Sequence, residues 1–198
     1  MNITLEKALK SGKVTHKIVK INPLQTIDFN DVPLVDLLGL KVSAVFDLFQ
    51  QCASFENNAP LPANVAGRLD ILDLPRICDA IYSRLKEINV YPKKSTKKEK
   101  PNQEIKLIKP LVFDKKMHTH IKINRPSPAD LMELSMPRVL LKYGNEMIKL
   151  IQKCGKFEDG SEIPEGFEIK LHPENFIQCV GELSFFFQGL DKIQTSEN

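Results

Sequence analysis

The sequence predicts an α+β protein of two tandem repeats, each a β-hairpin followed by two helices. The first observation is a self-match: of the 22 positions from 3 to 24, nine are identical to the residue 102 positions further along the chain. Ordinary residue usage would give about one or two such identities. The second observation is an alternation of apolar and polar residues at the start of each repeat, and the third is helical spacing of apolar residues after it.

The self-match keeps its register beyond the hairpins. VFDLFQQCASFENN (45–58) lies on MIKLIQKCGKFEDG (147–160) without a gap, and Pro62 lies on Pro164. After these prolines the register slips by about three residues, and the two copies correspond only by pattern. A match of this length and constancy indicates one structural unit made twice.

A segment rich in lysine separates the repeats, and we predict it to be a flexible linker: PKKSTKKEKPNQE (92–104). It divides the chain into a first repeat at 1–91 and a second at 105–198. The whole chain has 28 basic and 25 acidic residues, a net charge of +3, and the basic residues of the segment are Lys93, Lys94, Lys97, Lys98 and Lys100. Nucleic-acid contact needs only positive charge. The segment has no arginine and no aromatic residue to stack on bases, so a solvated linker is the favoured interpretation.

The hairpin is clearest in the second repeat. IKLIKPLVF (105–113) and MHTHIKIN (117–124) both alternate apolar and polar residues, and DKK (114–116) between them is a turn candidate. Pro126 and Pro128 end the second strand, because proline cannot donate a hydrogen bond to a sheet. A two-stranded hairpin is marginal alone, so we expect the helices to cover it.

Helical spacing follows each hairpin. Pro137 can open a long helix, since its missing N–H costs nothing in a first turn, and Gly155 fits the end of that helix. Its apolar face comprises Val139, Tyr143, Met147, Leu150, Ile151 and Cys154. The last helix opens at HPEN (172–175), and its apolar residues are Phe176, Val180, Leu183 and Phe187. The first repeat has the same order, with a long helix from Leu34 to Cys52 and a last helix through Ile77, Ile81 and Leu85.

Composition bounds the class of protein. The four cysteines, Cys52, Cys78, Cys154 and Cys179, form no C-x-x-C pair, so buried free thiols are expected, with a disulfide or metal set as the alternative. No run of 18 apolar residues is present, so we expect no membrane span. The N-terminal stretch lacks the apolar region of a secretory signal.

The motifs of common enzymes are absent from the sequence, which has no G-x-S-x-G, G-x-G-x-x-G, phosphate-binding loop or H-E-x-x-H. His118 and His120 could reach one metal from one strand face, but a zinc site needs more ligands, so a partly buried structural pair is favoured. Asp28 and Asp130 align after the hairpins, and first-turn helix acids are the simpler explanation. We therefore predict a protein without catalytic activity and without a cofactor.

The aromatic run at Phe185, Phe186 and Phe187 is a candidate contact surface. Three consecutive helical residues point in three directions, so at least one of these rings should leave the core of its own repeat. It could pack against the other repeat, or it could form a docking surface for a partner.

The string EIKLIKPLVFDKKMHTHIKINRPSPADLMEL (104–134) resembles the opening of a family of phage tail assembly chaperones. That opening has the form L-x-K-P, a turn, then I-x-I-x-R-P-x-x-x-D, which here comprises Leu107, Lys109, Pro110, Ile121, Ile123, Arg125, Pro126 and Asp130. The family's final helix, which closes in Phe-Phe, is similar to HPENFIQCVGELSFF (172–186). The first repeat departs from the form, with Ala8 where Pro110 stands and Pro23 where Arg125 stands.

The resemblance implies a non-enzymatic role in the host cytoplasm. Such chaperones coat the tape-measure protein, a long helical protein that sets tail length, until tail tube subunits displace them. The candidate partner-binding residues are Phe185, Phe186 and Phe187 of the aromatic run, together with Arg125 and Asp130 of the resembling motif. Two repeats on a linker would gain affinity through effective concentration. The alternatives are a structural tail or baseplate subunit retained in the virion, and a basic nucleic-acid-binding accessory protein; a homo-oligomer is also open.

Overall fold

A computed structural model describes residues 1–39, 41–89 and 104–187 of the chain. The predicted α+β class is confirmed, since the described residues form two three-stranded antiparallel sheets together with helices. In the first half these are β1 (Asn2–Ser11), β2 (Val14–Ile21), α1 (Leu34–Leu38), α2 (Val42–Cys52), β3 (Ala53–Phe55) and α3 (Leu74–Glu87). Short 3-10 helices lie at Thr26–Phe29, Val65–Arg68 and Ile71–Asp73.

The second half follows the same order of elements. They are β4 (Glu104–Phe113), β5 (Lys116–Ile123), α4 (Pro128–Leu131), α5 (Met136–Leu140), α6 (Gly144–Cys154), β6 (Gly155–Phe157) and α7 (Pro173–Phe187), with a 3-10 helix at Phe167–Ile169. From the first strand of each half to the third, the bounds differ by 102 residues. The starts of α3 and α7 differ by 99, because the first half has an additional 3-10 helix at Ile71–Asp73.

Each sheet has a third strand in addition to the predicted hairpin. The strand order is β1-β2-β3 in one half and β4-β5-β6 in the other, so the second strand of each hairpin is central. Both third strands begin directly where a helix ends, at Ala53 and Gly155, whose backbones are extended. The alternation of a strand cannot be recognised over three residues, which is why the sequence pattern did not predict these strands.

The predicted long helix is wrong in both halves, because two helices replace it. In the second half α5 ends at Leu140 and α6 begins at Gly144, and Lys142 between them has a positive φ of 56°. The carbonyl of Lys142 accepts a hydrogen bond from the N–H of Leu34 in the first half, at 3.4 Å. The break therefore lies where the two halves meet, and apolar spacing in the sequence carries no sign of that contact.

Both hairpins contain the same irregularity. Residues 107–110 of β4 lie opposite the single residue Thr119, and residues 5–8 of β1 lie opposite Lys17. Side chains at the start of the last helix of each half, or directly before it, bind the backbone of the irregular segment. In the second half Asn175 donates to the carbonyl of Lys106 and accepts from the N–H of Ile108, both at 2.9 Å.

In the first half two side chains perform the task of Asn175. Asp73 accepts from the N–H of Glu6 at 2.9 Å, and Arg76 donates to the carbonyl of Thr4 at 3.1 Å. The outer edges of β1 and β4 are thereby partly satisfied without another strand, which protects them from pairing with a second chain.

Buried apolar residues of the two halves form one connected core. The rings of Phe29 and Phe176 lie 5.9 Å apart between centroids, and the Thr26 hydroxyl donates to the carbonyl of Leu171 at 2.6 Å. Most of the predicted linker lies outside the described residues. Its last residue, Glu104, is the first residue of β4.

Candidate partner-binding surface

The three candidate phenylalanines lie at the C-terminal end of α7. Phe185 is 40% exposed, while Phe186 and Phe187 are partly buried and pack against the core. Of the three rings, that of Phe185 is the most exposed, and less than half of it is open to solvent. A phenylalanine exposed to this degree at a helix end is available for contact with a partner.

Arg125 and Asp130 lie at the other candidate position, around the start of α4. Arg125 is exposed and forms no hydrogen bond or ion pair with another described residue. Asp130 accepts hydrogen bonds from the Ser127 N–H and hydroxyl, each at 2.7 Å. The hydroxyl of Ser127, followed by its N–H, holds the pKa of Asp130 below its usual value. Asp130 therefore caps α4, and Arg125 is the freer of the two side chains.

These two sets are not joined by a hydrogen bond, an ion pair or a ring contact among the described residues. The aromatic run belongs to α7, while Arg125 and Asp130 flank α4. The linker candidates Lys93, Lys94, Lys97, Lys98 and Lys100 lie outside the described residues.

The histidines have structural partners. His118 is buried, and its ring stacks on Phe157 at 3.8 Å between centroids. His16 stacks on Phe55 in the same way at 3.9 Å, so the feature occurs once in each half. His120 lies 2.9 Å from the Thr119 hydroxyl. Residues 1–39, 41–89 and 104–187 contain no group of three or more His, Cys, Asp or Glu side chains placed to hold a metal ion.

The four cysteines are free thiols, and Cys52, Cys154 and Cys179 are buried. Burial is the main cause that raises the pKa of each of these three to about 12. A thiol with such a pKa stays protonated near neutral pH and is a poor nucleophile. In the part of the chain that the structure describes, no helix has the length and apolarity needed to cross a membrane.

Two exposed apolar side chains were not predicted from the sequence. Met132, directly after α4, is 84% exposed, and Ile71, in the additional 3-10 helix of the first half, is 75% exposed. Met132 follows a helix of a single turn and Ile71 lies within one, so neither belongs to a periodic element and apolar spacing gives no prediction for them.

A polar cluster at the junction of the halves was also missed. The guanidinium of Arg138 lies 3.4 Å from Asp31 and 3.0 Å from the amide oxygen of Asn145, and it stacks over the Tyr143 ring at 4.2 Å. Its Nε lies 3.6 Å from the buried carboxylate of Glu146. The available signal was the self-match, in which Glu146 stands where the first half has the buried Ala44.

Comparisons with known protein families, with curated proteins and with solved structures found no match to this chain.

Proposed function

We propose that the protein is a non-enzymatic phage tail assembly chaperone, which binds the tape-measure protein in the host cytoplasm and keeps it soluble until the tail tube assembles. The observation that carries the proposal is the string at 104–134, with its resemblance to the opening of that chaperone family. The string forms the second hairpin and α4, and it includes the exposed Met132.

The exposed side chains suit such a partner. A long amphipathic helical protein presents apolar stripes, which a chaperone can cover with apolar side chains of its own. Phe185 and Met132 are exposed apolar side chains, and Arg125 is an exposed cation without a described partner. These groups could bind apolar and acidic positions of a helix respectively.

The proposal is tested by co-expression with the tape-measure protein encoded by the same phage. We expect that protein to be soluble and to co-purify with the chaperone, and to aggregate without it. Phe185→Ala should reduce its soluble fraction several-fold, since an aromatic contact is among the largest in an interface. Ile169→Ala is the matched control, because Ile169 is exposed and precedes the start of α7, whereas Phe185 lies near the other end of that helix.

A tape-measure protein that is equally soluble alone would overturn the proposal. Mass spectrometry of purified particles distinguishes a chaperone from a structural subunit of the tail or baseplate. A chaperone is absent from finished particles, whereas a structural tail or baseplate subunit is present at a fixed copy number.

A further inference from the structure

The outer part of the first hairpin carries positive charge without compensation. Residues 2–21 contain five lysines and one glutamate. Four of the lysines, Lys7, Lys10, Lys13 and Lys17, are exposed and form no ion pair or side-chain hydrogen bond with another described residue. Val14, at the tip among them, is 54% exposed. We refer to Lys7–Lys17 as the basic tip.

The equivalent part of the second hairpin is compensated. Lys116 pairs with Asp159 at 3.4 Å, and Asp114 occupies the turn where the first hairpin has Gly12. The loop at 156–168 beside this hairpin contains five acidic residues and one lysine, whereas the equivalent loop at 54–66 contains a single acidic residue and no basic one. The same fold therefore produces one neutralised tip and one basic tip.

Edge protection does not account for all four lysines. Lysine on an exposed edge strand discourages pairing with other chains, and Lys7 and Lys10 lie on the edge strand β1. Lys13 lies in the turn, and Lys17 lies on β2, which is the central strand of its sheet. Charge at these two positions protects no edge.

The edge beside the basic tip is also more open than its counterpart. In the second half Pro110 removes one backbone N–H, and the Lys170 ammonium caps the carbonyl of Val112 at 3.1 Å. Ala8 replaces Pro110 in the first half, and no described side chain caps the carbonyl of Lys10. A partner can therefore approach the first hairpin closely where the second is covered.

Building on the proposed function, we propose that the basic tip is a docking surface for the acidic flank of an amphipathic helix in the partner protein. The lysine ammonium groups would pair with carboxylates along that helix, and Val14 would contact its apolar stripe. The chemistry favours a protein over a nucleic acid. The tip has no arginine, phenylalanine, tyrosine or tryptophan, and its His16 ring is stacked on the buried Phe55, so it offers little for base stacking.

The test measures binding of the full-length protein to three defined probes. They are a synthetic amphipathic helix of about four heptads with a leucine stripe and glutamate flanks, the same stripe with glutamine flanks, and a duplex DNA oligonucleotide. We expect the glutamate peptide to bind most tightly, with an affinity that falls as salt is added. The variant K7Q/K10Q/K13Q/K17Q should lose about tenfold in affinity, because several weak surface ion pairs are removed together.

The matched control is K106Q/K109Q/K115Q/K122Q, which removes four charges from the second hairpin and should change the affinity less than about twofold. All eight lysine side chains are exposed, so both variants should keep the far-UV spectrum and unfolding midpoint of the parent.

Equal losses in the two variants, or none in the first, would refute the basic tip as a specific surface. Tighter binding of DNA, lost in K7Q/K10Q/K13Q/K17Q, would assign the tip to nucleic acid instead. The outcome is separable from the proposed function. If the K7Q/K10Q/K13Q/K17Q variant still keeps the tape-measure protein soluble, the proposed docking surface is refuted while the proposed chaperone role stands.

Discussion

At the scale of single residues, Gly144 sets how closely the two halves approach. It is the first residue of α6, and a Cβ atom added there would overlap the carbonyl group of Phe29. The adjacent Asn145 N–H donates to the carbonyl of Asn30 at 2.8 Å, so the two backbones are held in direct contact. A side chain at position 144 would force this contact apart.

Gly144→Ala should therefore destabilise the protein by about 3 kcal/mol, in the upper range for overpacking, because backbone atoms cannot rotate away. The matched control is Gly181→Ala, since a Cβ atom at Gly181 in α7 would meet nothing within 4 Å. Alanine is the better helix former there, so the control should be neutral or more stable by about 0.5–1 kcal/mol. Urea unfolding followed by circular dichroism measures both. Equal stability of the two variants would refute the close approach at Gly144.

At the scale of the elements, the two halves use the same cap with opposite electrostatics. Asp28 accepts from the N–H of Gln25 at 2.8 Å, and Asp130 accepts from Ser127 at the equivalent position. Burial raises the pKa of Asp28, against the effect of the Gln25 N–H. The pKa of Asp130 is lowered, because the Ser127 hydroxyl adds a second hydrogen bond to a more exposed carboxylate.

The signs of these shifts give opposite pH dependence. A lowered pKa means that Asp130 contributes stability above its unfolded pKa, and the contribution is lost as the pH falls through the folded value. A raised pKa means that ionised Asp28 costs stability, and the cost appears as the pH rises past the unfolded value of the carboxyl group. Near neutral pH the ionised Asp130 therefore stabilises the second half, whereas the ionised Asp28 does not stabilise the first half.

Asp130→Asn should lower the free energy of unfolding by about 1 kcal/mol at neutral pH. Asp28→Asn should leave it unchanged or raise it, because the amide oxygen can still accept from Gln25 without the cost of a buried charge. Urea midpoints at neutral pH and near pH 3 measure both variants, and the deficit of Asp130→Asn should shrink at the lower pH. A larger loss for Asp28→Asn than for Asp130→Asn at neutral pH would contradict this assignment.

At the scale of the whole molecule, the contact between the two halves is asymmetric: each half contributes a different surface to it. Most of the hydrogen bonds between the halves involve residues 26–34 of the first half, and one more joins the Asn89 amide to Glu174 at 3.1 Å. The reverse pair of surfaces lacks the chemistry of the contacts at 26–34. Val42 stands where Gly144 does, and Pro128 has no hydroxyl where Thr26 donates one. Asp36 occupies the position in the first half that is equivalent to Arg138, so it cannot form an ion pair with an acidic residue as Arg138 does with Asp31. This interface cannot repeat itself between chains, so it favours a two-repeat unit over end-to-end growth.

Cutting the chain within 92–104, at a protease site inserted between Ser95 and Thr96, tests the division into repeats. We expect both fragments to retain a folded far-UV spectrum, because each has its own sheet and helices. We also expect them to co-elute in size-exclusion chromatography, because Phe29 and Phe176 pack together across the junction. The uncut parent is the control. Loss of the folded spectrum in both fragments would mean that neither half of the connected core is stable without the other.

The sequence predicts on which elements many of the candidate residues lie, but not which of their side chains are exposed. The position of Phe185 on a helix follows from apolar spacing, but which of the three rings is exposed depends on what α7 packs against. Asp130 was placed after the hairpin correctly, and its capping of α4 was already the simpler explanation. The basic tip was not predicted, because whether its positive charge is compensated depends on the acidic residues of a loop at 54–66, which lies far from the tip in the sequence.

The sequence by itself determined the α+β class, the hairpins, the last helices and the order of elements in each half. These follow from side-chain period and turn chemistry, which act over a few neighbouring residues. The tertiary structure alone decided the break before α6, the third strands, the polar cluster around Arg138 and the difference in charge between the two hairpin tips. Each of these depends on contacts between segments distant in the chain, and such contacts leave no periodic trace in the sequence.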